Sequence, residues 1–182
     1  MSEPLSAWHA DHIKFAKLLE LLEHQLVAFG LGERPDYGMM LDIVAYLRDF
    51  GDRFHHPRED AAFARLIQHD PMLRMPIARR LQEHRVIAAA GEELAECLQA
   101  LTEDAVVERS RVETALATYL VYYRYHMTAE EEQLIPAATA KLTAADWAAV
   151  GDAAPTAGGE QRNFDARYRD LLVRIEPAAQ KP

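Results

Sequence analysis

The sequence predicts an all-α fold, an antiparallel up-down four-helix bundle with short extra C-terminal helices. Three observations predict it. Apolar residues recur at threes and fours along four long stretches, as on one face of a helix. No stretch alternates with period two, so no strand is expected. Short glycine-, proline- or acid-bearing turns separate the stretches, which makes sequence neighbours pack as antiparallel partners. At 182 residues the chain has the length of one domain with a full core. We read residues 1–182 as a single domain, with the bundle core over about 5–140 and a helical extension over about 143–176.

The first helix covers 5–29, with Leu5, Trp8, His12, Phe15, Leu19, Leu22 and Leu26 on one face and Ser6 as a local N-cap. Gly30 to Asp36 turns the chain, and Asp36 caps the second helix, about 37–68, whose inner face carries Val44, Leu47, Phe50, Phe54, Ala62 and Leu66. Pro57 lies inside it and predicts a kink or local break beside His55, because proline removes a backbone donor and crowds the preceding turn. The third helix, about 73–101, turns Ile77, Leu81, His84, Ile87, Gly91, Leu94, Ala95 and Leu98 inward. After Thr102-Glu103-Asp104 the fourth runs from about 106 to 134 or beyond, with Val112, Ala115, Tyr119, Tyr122, His126 and Ala137 inward, and Pro136 bends or ends it. Thr143 with Asp146 starts a short helix to about Val150. A loop is expected over 151–159, a last helix over 164–175 and a disordered tail over 177–182.

A net charge of −9 argues against nucleic acid and anionic membranes, which need a basic face. No apolar run approaches ~18 residues, so no membrane-spanning helix is expected, and the N-terminus lacks the pattern of a signal peptide. The single cysteine, Cys97, fits a reducing compartment, and the location read from this is cytoplasmic.

The chemistry lies in a repeat. His55 and Glu59 are four apart, as are His126 and Glu130. A lone histidine, His12, precedes the first pair, and another, His84, precedes the second at nearly the same separation. In a helical hairpin, residues equidistant from the turn share a level. The midpoint of the first set falls in the Gly30–Asp36 turn and that of the second at the turn near Val106, so each lone histidine stands level with its pair. On an ideal helix of about 3.6 residues per turn, all six side chains face the bundle interior. A buried ionised carboxylate costs several kcal/mol without a partner. Two of them beside four imidazoles fit a pair of metal ions, each held by two neutral histidines and bridged by both carboxylates. The metal-ligand set read from the sequence is therefore His12, His55, Glu59, His84, His126 and Glu130. His56 with Asp60 is a competing pair pointing outward, and His9 competes with His12 from the edge of its stripe. The clustered tyrosines of the fourth helix are core packing, or Tyr119 or Tyr122 donates a hydrogen bond to the centre.

This set, with the local sequences Phe54-His55-His56-Pro57-Arg58-Glu59-Asp60 and Glu83-His84-Arg85, resembles the hemerythrin-like (HHE cation-binding) domain of bacterial type over about residues 5–140. The resemblance implies a non-haem di-iron centre: two iron ions, Fe2+ or Fe3+, joined by a bridging oxygen and two glutamates. Imidazole and carboxylate also suit manganese or zinc. Oxygen-carrying hemerythrins have a second histidine where this chain has Ala88, and they end in His-x-x-x-x-Asp where it has His-x-x-x-Glu. The chain looks more like bacterial iron–sulfur repair proteins and iron-sensing hemerythrin domains, without the cysteine-bearing domain of the former or the F-box region of the latter.

The function expected is a soluble di-iron protein that binds or senses oxygen, nitric oxide or peroxide, working with an unidentified redox partner. Iron handling or repair of iron centres, a peroxide- or nitric-oxide-consuming oxidoreductase, and a metal-free helical interaction module are the alternatives.

Overall fold

The computed structural model describes residues 3–153 and 159–174, which are helical throughout apart from short turns and contain no strand. Helix α1 spans Glu3–Gly30, α2 Tyr37–Phe50, α3 His56–His69, α4 Arg74–Thr102 and α5 Arg109–Ala129. Shorter helices follow: α6 (Ile135–Lys141), α7 (Ala144–Ala153), α8 (Gly159–Arg167) and α9 (Arg169–Val173). Helix α4 packs on α5 and α2, and α1 packs on α5 and α2. Pairing of α1 with α5 runs from Arg109, which donates to the Phe29 and Gly30 carbonyls, through the Arg124–Glu23 pair to His9 beside Glu131.

The turns have local causes. After α1, Gly32 takes φ +82°, a left-handed conformation glycine adopts at little cost. The Asp36 carboxylate accepts from the Met39 N–H at 2.9 Å, as its expected capping role requires. At the start of α7 Thr143 Oγ1 accepts from the Asp146 N–H and Asp146 accepts in return from the Thr143 N–H. Ser6 is not a cap: α1 begins before it.

The break expected at Pro57 is a π-turn. Between α2 and α3, Gly51–His55 stays helical but is wound one residue wider, and the His56 N–H reaches back to the Gly51 carbonyl. The same device recurs at Glu130–Leu134, where the Ile135 N–H reaches the Glu130 carbonyl. Pro57 and Pro136 are each the second residue of the helix that follows. A proline ring crowds the carbonyl four residues back and brings no donor for it, and the wider turn relieves both problems. The helical path therefore continues through both prolines instead of ending.

Two apolar clusters fill the interior. One gathers Phe15, Leu18, Leu19, Leu22, the buried α2 residues to Phe50, Phe54 of the following turn, Ile87, Leu94 and Leu98 of α4, and the inner face of α5 to Met127. The other gathers Leu5, Trp8, Ala62, Phe63, Leu66, Ile77, Leu134, Ala138, Trp147 and Val150. Between them, in each long helical path, lies a polar layer. Tyr122 was expected inward but is 42% exposed; Tyr119 and Tyr123 take the inner positions. Helix α8 begins earlier than the expected last helix and breaks at Tyr168. Its Phe164 packs on Tyr46, Phe50 and Phe54, and the Tyr46 hydroxyl donates to Asp165. Helix α7 runs on to Ala153, past the expected loop start. The rest of that loop to 158, the expected helix end at Ile175 and the 177–182 tail lie outside the described residues.

Candidate metal centre

The polar layer brings together all six residues singled out in the sequence. Helix α1 supplies His12, the first π-turn and α3 supply His55 and Glu59, α4 supplies His84, and α5 with the second π-turn supplies His126 and Glu130. Glu59 and Glu130 are wholly buried, and His12, His55 and His126 are buried with them. They form two donor groups that share both carboxylates: His12, His55, Glu59 and Glu130, and His84, His126, Glu59 and Glu130.

Each glutamate turns one oxygen toward each histidine pair. Glu59 Oε1 lies 2.8 Å from His55 Nε2 and 3.6 Å from His12 Nε2, whereas its Oε2 lies 3.3 Å from His84 Nε2. Glu130 Oε2 lies 3.3 Å from His12 Nε2 and its Oε1 3.4 Å from His126 Nε2. The Nε2 atoms of His84 and His126 face one another at 3.1 Å. Yet none of the four carboxylate oxygens, nor His12 Nε2, has a hydrogen-bond partner. Buried polar atoms are ordinarily paired. Four acceptor oxygens left unpartnered among converging imidazole nitrogens fit two cations, one per donor group.

The charges lean the same way. Burial, with the charge on Glu59 adding to it, pushes the Glu130 carboxyl up to about 8. Burial would raise Glu59 too, but His55, His12 and His84 outweigh it and hold this carboxylate well below the ordinary range. Burial lowers the His12 imidazole, but Glu130, Glu131 and Glu59 raise it well above its usual value. Burial keeps His126 neutral, its pKa pulled down to about 2. Burial lowers His55 and His84 as well, but Glu59 outweighs it and raises both imidazoles.

The outward nitrogens of three histidines are anchored. His55 Nδ1 lies 3.3 Å from Asp11 Oδ2, and Arg58 Nη1 donates to the same oxygen at 2.7 Å. His126 Nδ1 lies 3.3 Å from Glu83 Oε2, and Arg80 holds the other oxygen of Glu83 at 2.8 Å. His12 Nδ1 lies 2.8 Å from Glu131 Oε1. Such partners fix the ring and its tautomer, leaving Nε2 for a metal. Sequence reasoning missed Asp11, Glu83, Arg58, Arg80 and Glu131. The signal for two of them was an acid immediately before each lone histidine: Asp11 before His12 and Glu83 before His84.

Competing residues fall outside the layer. Asp60 is exposed, and the His56 ring stacks on His84 at 4.1 Å with its Nδ1 toward Asp52. His9 is half exposed and pairs with Glu131. His24 and His69 are exposed, and Cys97 is buried in the core. Tyr119 and Tyr123 are buried with unpartnered hydroxyls. Of the two, Tyr123 lies near enough for Glu59 and Glu130 to raise its pKa further, after burial.

No curated protein and no solved structure matches the chain. A family model does: the Hemerythrin HHE cation binding domain, over residues 3–138, a span that holds all six layer residues. The chain therefore belongs to the hemerythrin HHE cation-binding domain family.

Proposed function

We propose that this protein holds two iron ions, joined by an oxygen bridge, and uses them to bind or sense a small molecule such as oxygen, nitric oxide or peroxide. The observation that carries the reading is the set of four unpartnered carboxylate oxygens, one from each glutamate facing each histidine pair. His12 and His55 would hold one ion and His84 and His126 the other, with Glu59 and Glu130 shared between the two groups, within an antiparallel four-helix bundle. Bound iron supplies redox chemistry and open coordination positions.

The chain's own residues do the rest. Asp11, Glu83 and Glu131 orient the imidazoles, and Arg58 and Arg80 hold two of those carboxylates in place. Trp8 and Phe15, one turn either side of His12, wall the layer with apolar surface and limit water. Two histidines per ion, with exposed Ala88 one turn beyond His84, leave positions for an incoming ligand. Sensing or redox turnover suits so open a centre better than reversible carriage. Among the described residues no helix is long and apolar enough to cross a membrane. We place the protein in the cytoplasm with a redox partner, away from membranes and nucleic acid.

Stopped-flow spectra of the reduced, iron-loaded protein mixed with oxygen test this. Rapid oxidation without a persistent adduct is expected. A stable adduct that reverses on removing oxygen would make it a carrier, and an unchanged spectrum would remove oxygen from the ligand class.

A further inference from the structure

The two halves of the centre match at every ligand but not around them. His12, His55 and His126 each turn Nδ1 to a carboxylate. Among the described residues, His84 Nδ1 has none. Its ring instead lies flat on His56, centroids 4.1 Å apart and planes 23° apart. His56 occupies space that Gly51 leaves open: a Cβ at Gly51 would stand 3.0 Å from His56 Cε1. The carboxylates differ as well. Those on His55 and His126 are each neutralised by a buried arginine, Arg58 and Arg80. Among the described residues Glu131, on His12, otherwise meets only the exposed His9. Exposure follows the same division, with the His84 side chain 13% exposed against 4% for His12.

Each difference favours one position. A carboxylate on the outer nitrogen makes an imidazole a better donor and holds its ring in the ligating pose. Only the His12/His55 position has both rings so held, and one of its two carboxylates, Glu131, meets histidines instead of an arginine. The His84/His126 position has one anchored ring and one ring held by stacking alone. A surface groove lined by His9, Ile13, Met127, Glu131 and Glu132 reaches His12, whose Nδ1 lies on Glu131.

We propose that the two metal positions are unequal: the His12/His55 position fills first and retains its ion, the His84/His126 position is the exchangeable one, and Glu131 sets the order. This rests on the two-metal reading above. The probe is cobalt(II), added to the metal-free full-length chain at one equivalent and at excess, with anomalous diffraction locating it in crystals grown at each ratio. At one equivalent, density is expected mainly between His12 and His55; equal density at both positions, or more at His84/His126, overturns the proposal. Density at neither position at excess cobalt overturns the two-metal reading itself, a separate and recognisable failure.

Glu131→Gln keeps the size of a half-exposed side chain and should leave helix content unchanged by circular dichroism. In calorimetric titration it should weaken the tighter cobalt step by about 10–100-fold, the range typical of lost outer partners of metal-bound histidines. The weaker step should stay within about twofold of the wild-type value under the same outer-partner logic. An unchanged tight step removes Glu131 from the role assigned to it.

Discussion

Burying Glu59 and Glu130 side by side costs several kcal/mol unless a cation or a proton compensates, and this gives substitutions at the layer a definite sign. In Glu130→Gln the metal-free protein loses little, because Glu130 already carries a proton near neutral pH; its stability should change by less than about 1 kcal/mol. Metal retention should fall at least ~100-fold, since the carboxylate shared by both donor groups loses its charge. Thermal unfolding and metal content of the same preparation check the two halves of this prediction. The pH dependence follows from the same carboxyl. Its folded pKa is raised from 4.5 to about 8, so its stabilising contribution is complete below about 4.5 and drains away as pH rises through about 8. A bound metal needs the ionised form. The gain in melting temperature on adding metal should therefore grow between pH 5 and pH 8, and a gain that shrinks across that window would contradict the protonated Glu130. The six layer residues were legible in the sequence because their spacing repeats at matched distances from two turns. Asp11 and Glu83 were not, since an acid beside a histidine is common on any helix surface and gains meaning only when a neighbouring helix brings His55 or His126 to it.

At the scale of the element, the π-turns aim the ligands. One ends at His55 and the other begins at Glu130, and each stands just before a proline. Pro57 and Pro136 announced a disturbance in the sequence. The form it took depends on packing on both sides, which keeps the helix from ending and leaves a wider turn as the remaining solution. Glu131 was hidden for the same reason, because an ideal wheel cannot follow a helix through a π-turn. In Pro57→Ala the restored N–H is free to donate to the Arg53 carbonyl. The turn can then close to ordinary α-helix, rotating His55 by about 100° relative to Glu59. Metal affinity should drop at least ~10-fold as the outer anchoring of His55 is lost with the rotation, while circular dichroism shows helix content unchanged. Undiminished affinity would mean that packing, not Pro57, imposes the turn.

For the whole molecule, the polar layer divides two apolar clusters, each built from several helices. Fully burying one Leu, Phe or Trp side chain stabilises by roughly 1.5–3 kcal/mol, and both clusters are rich in them, so the fold stands without metal and the ions add to it. At a free-metal concentration 100 times the dissociation constant the gain is about 2.7 kcal/mol, worth roughly 5–10 °C in a domain of this size. Chelation should lower the melting temperature by about that much and leave a cooperative transition; a chelated chain without one would make the metal part of folding itself. The all-helical class and the long helices were plain from periodicity. The packing of α8 across Tyr46 and Phe50 was not, because that short helix reads as an isolated amphipathic segment until its partner face is known.

We propose that His12, His55, Glu59, His84, His126 and Glu130 together hold two ions. Metal analysis of the protein purified after iron-supplemented growth, with its optical spectrum, tests it most directly. About two iron ions per chain are expected, one for each donor group, with absorption from ferric iron in the near ultraviolet. Much less than one metal of any kind per chain, in protein that is helical and folded, would contradict it.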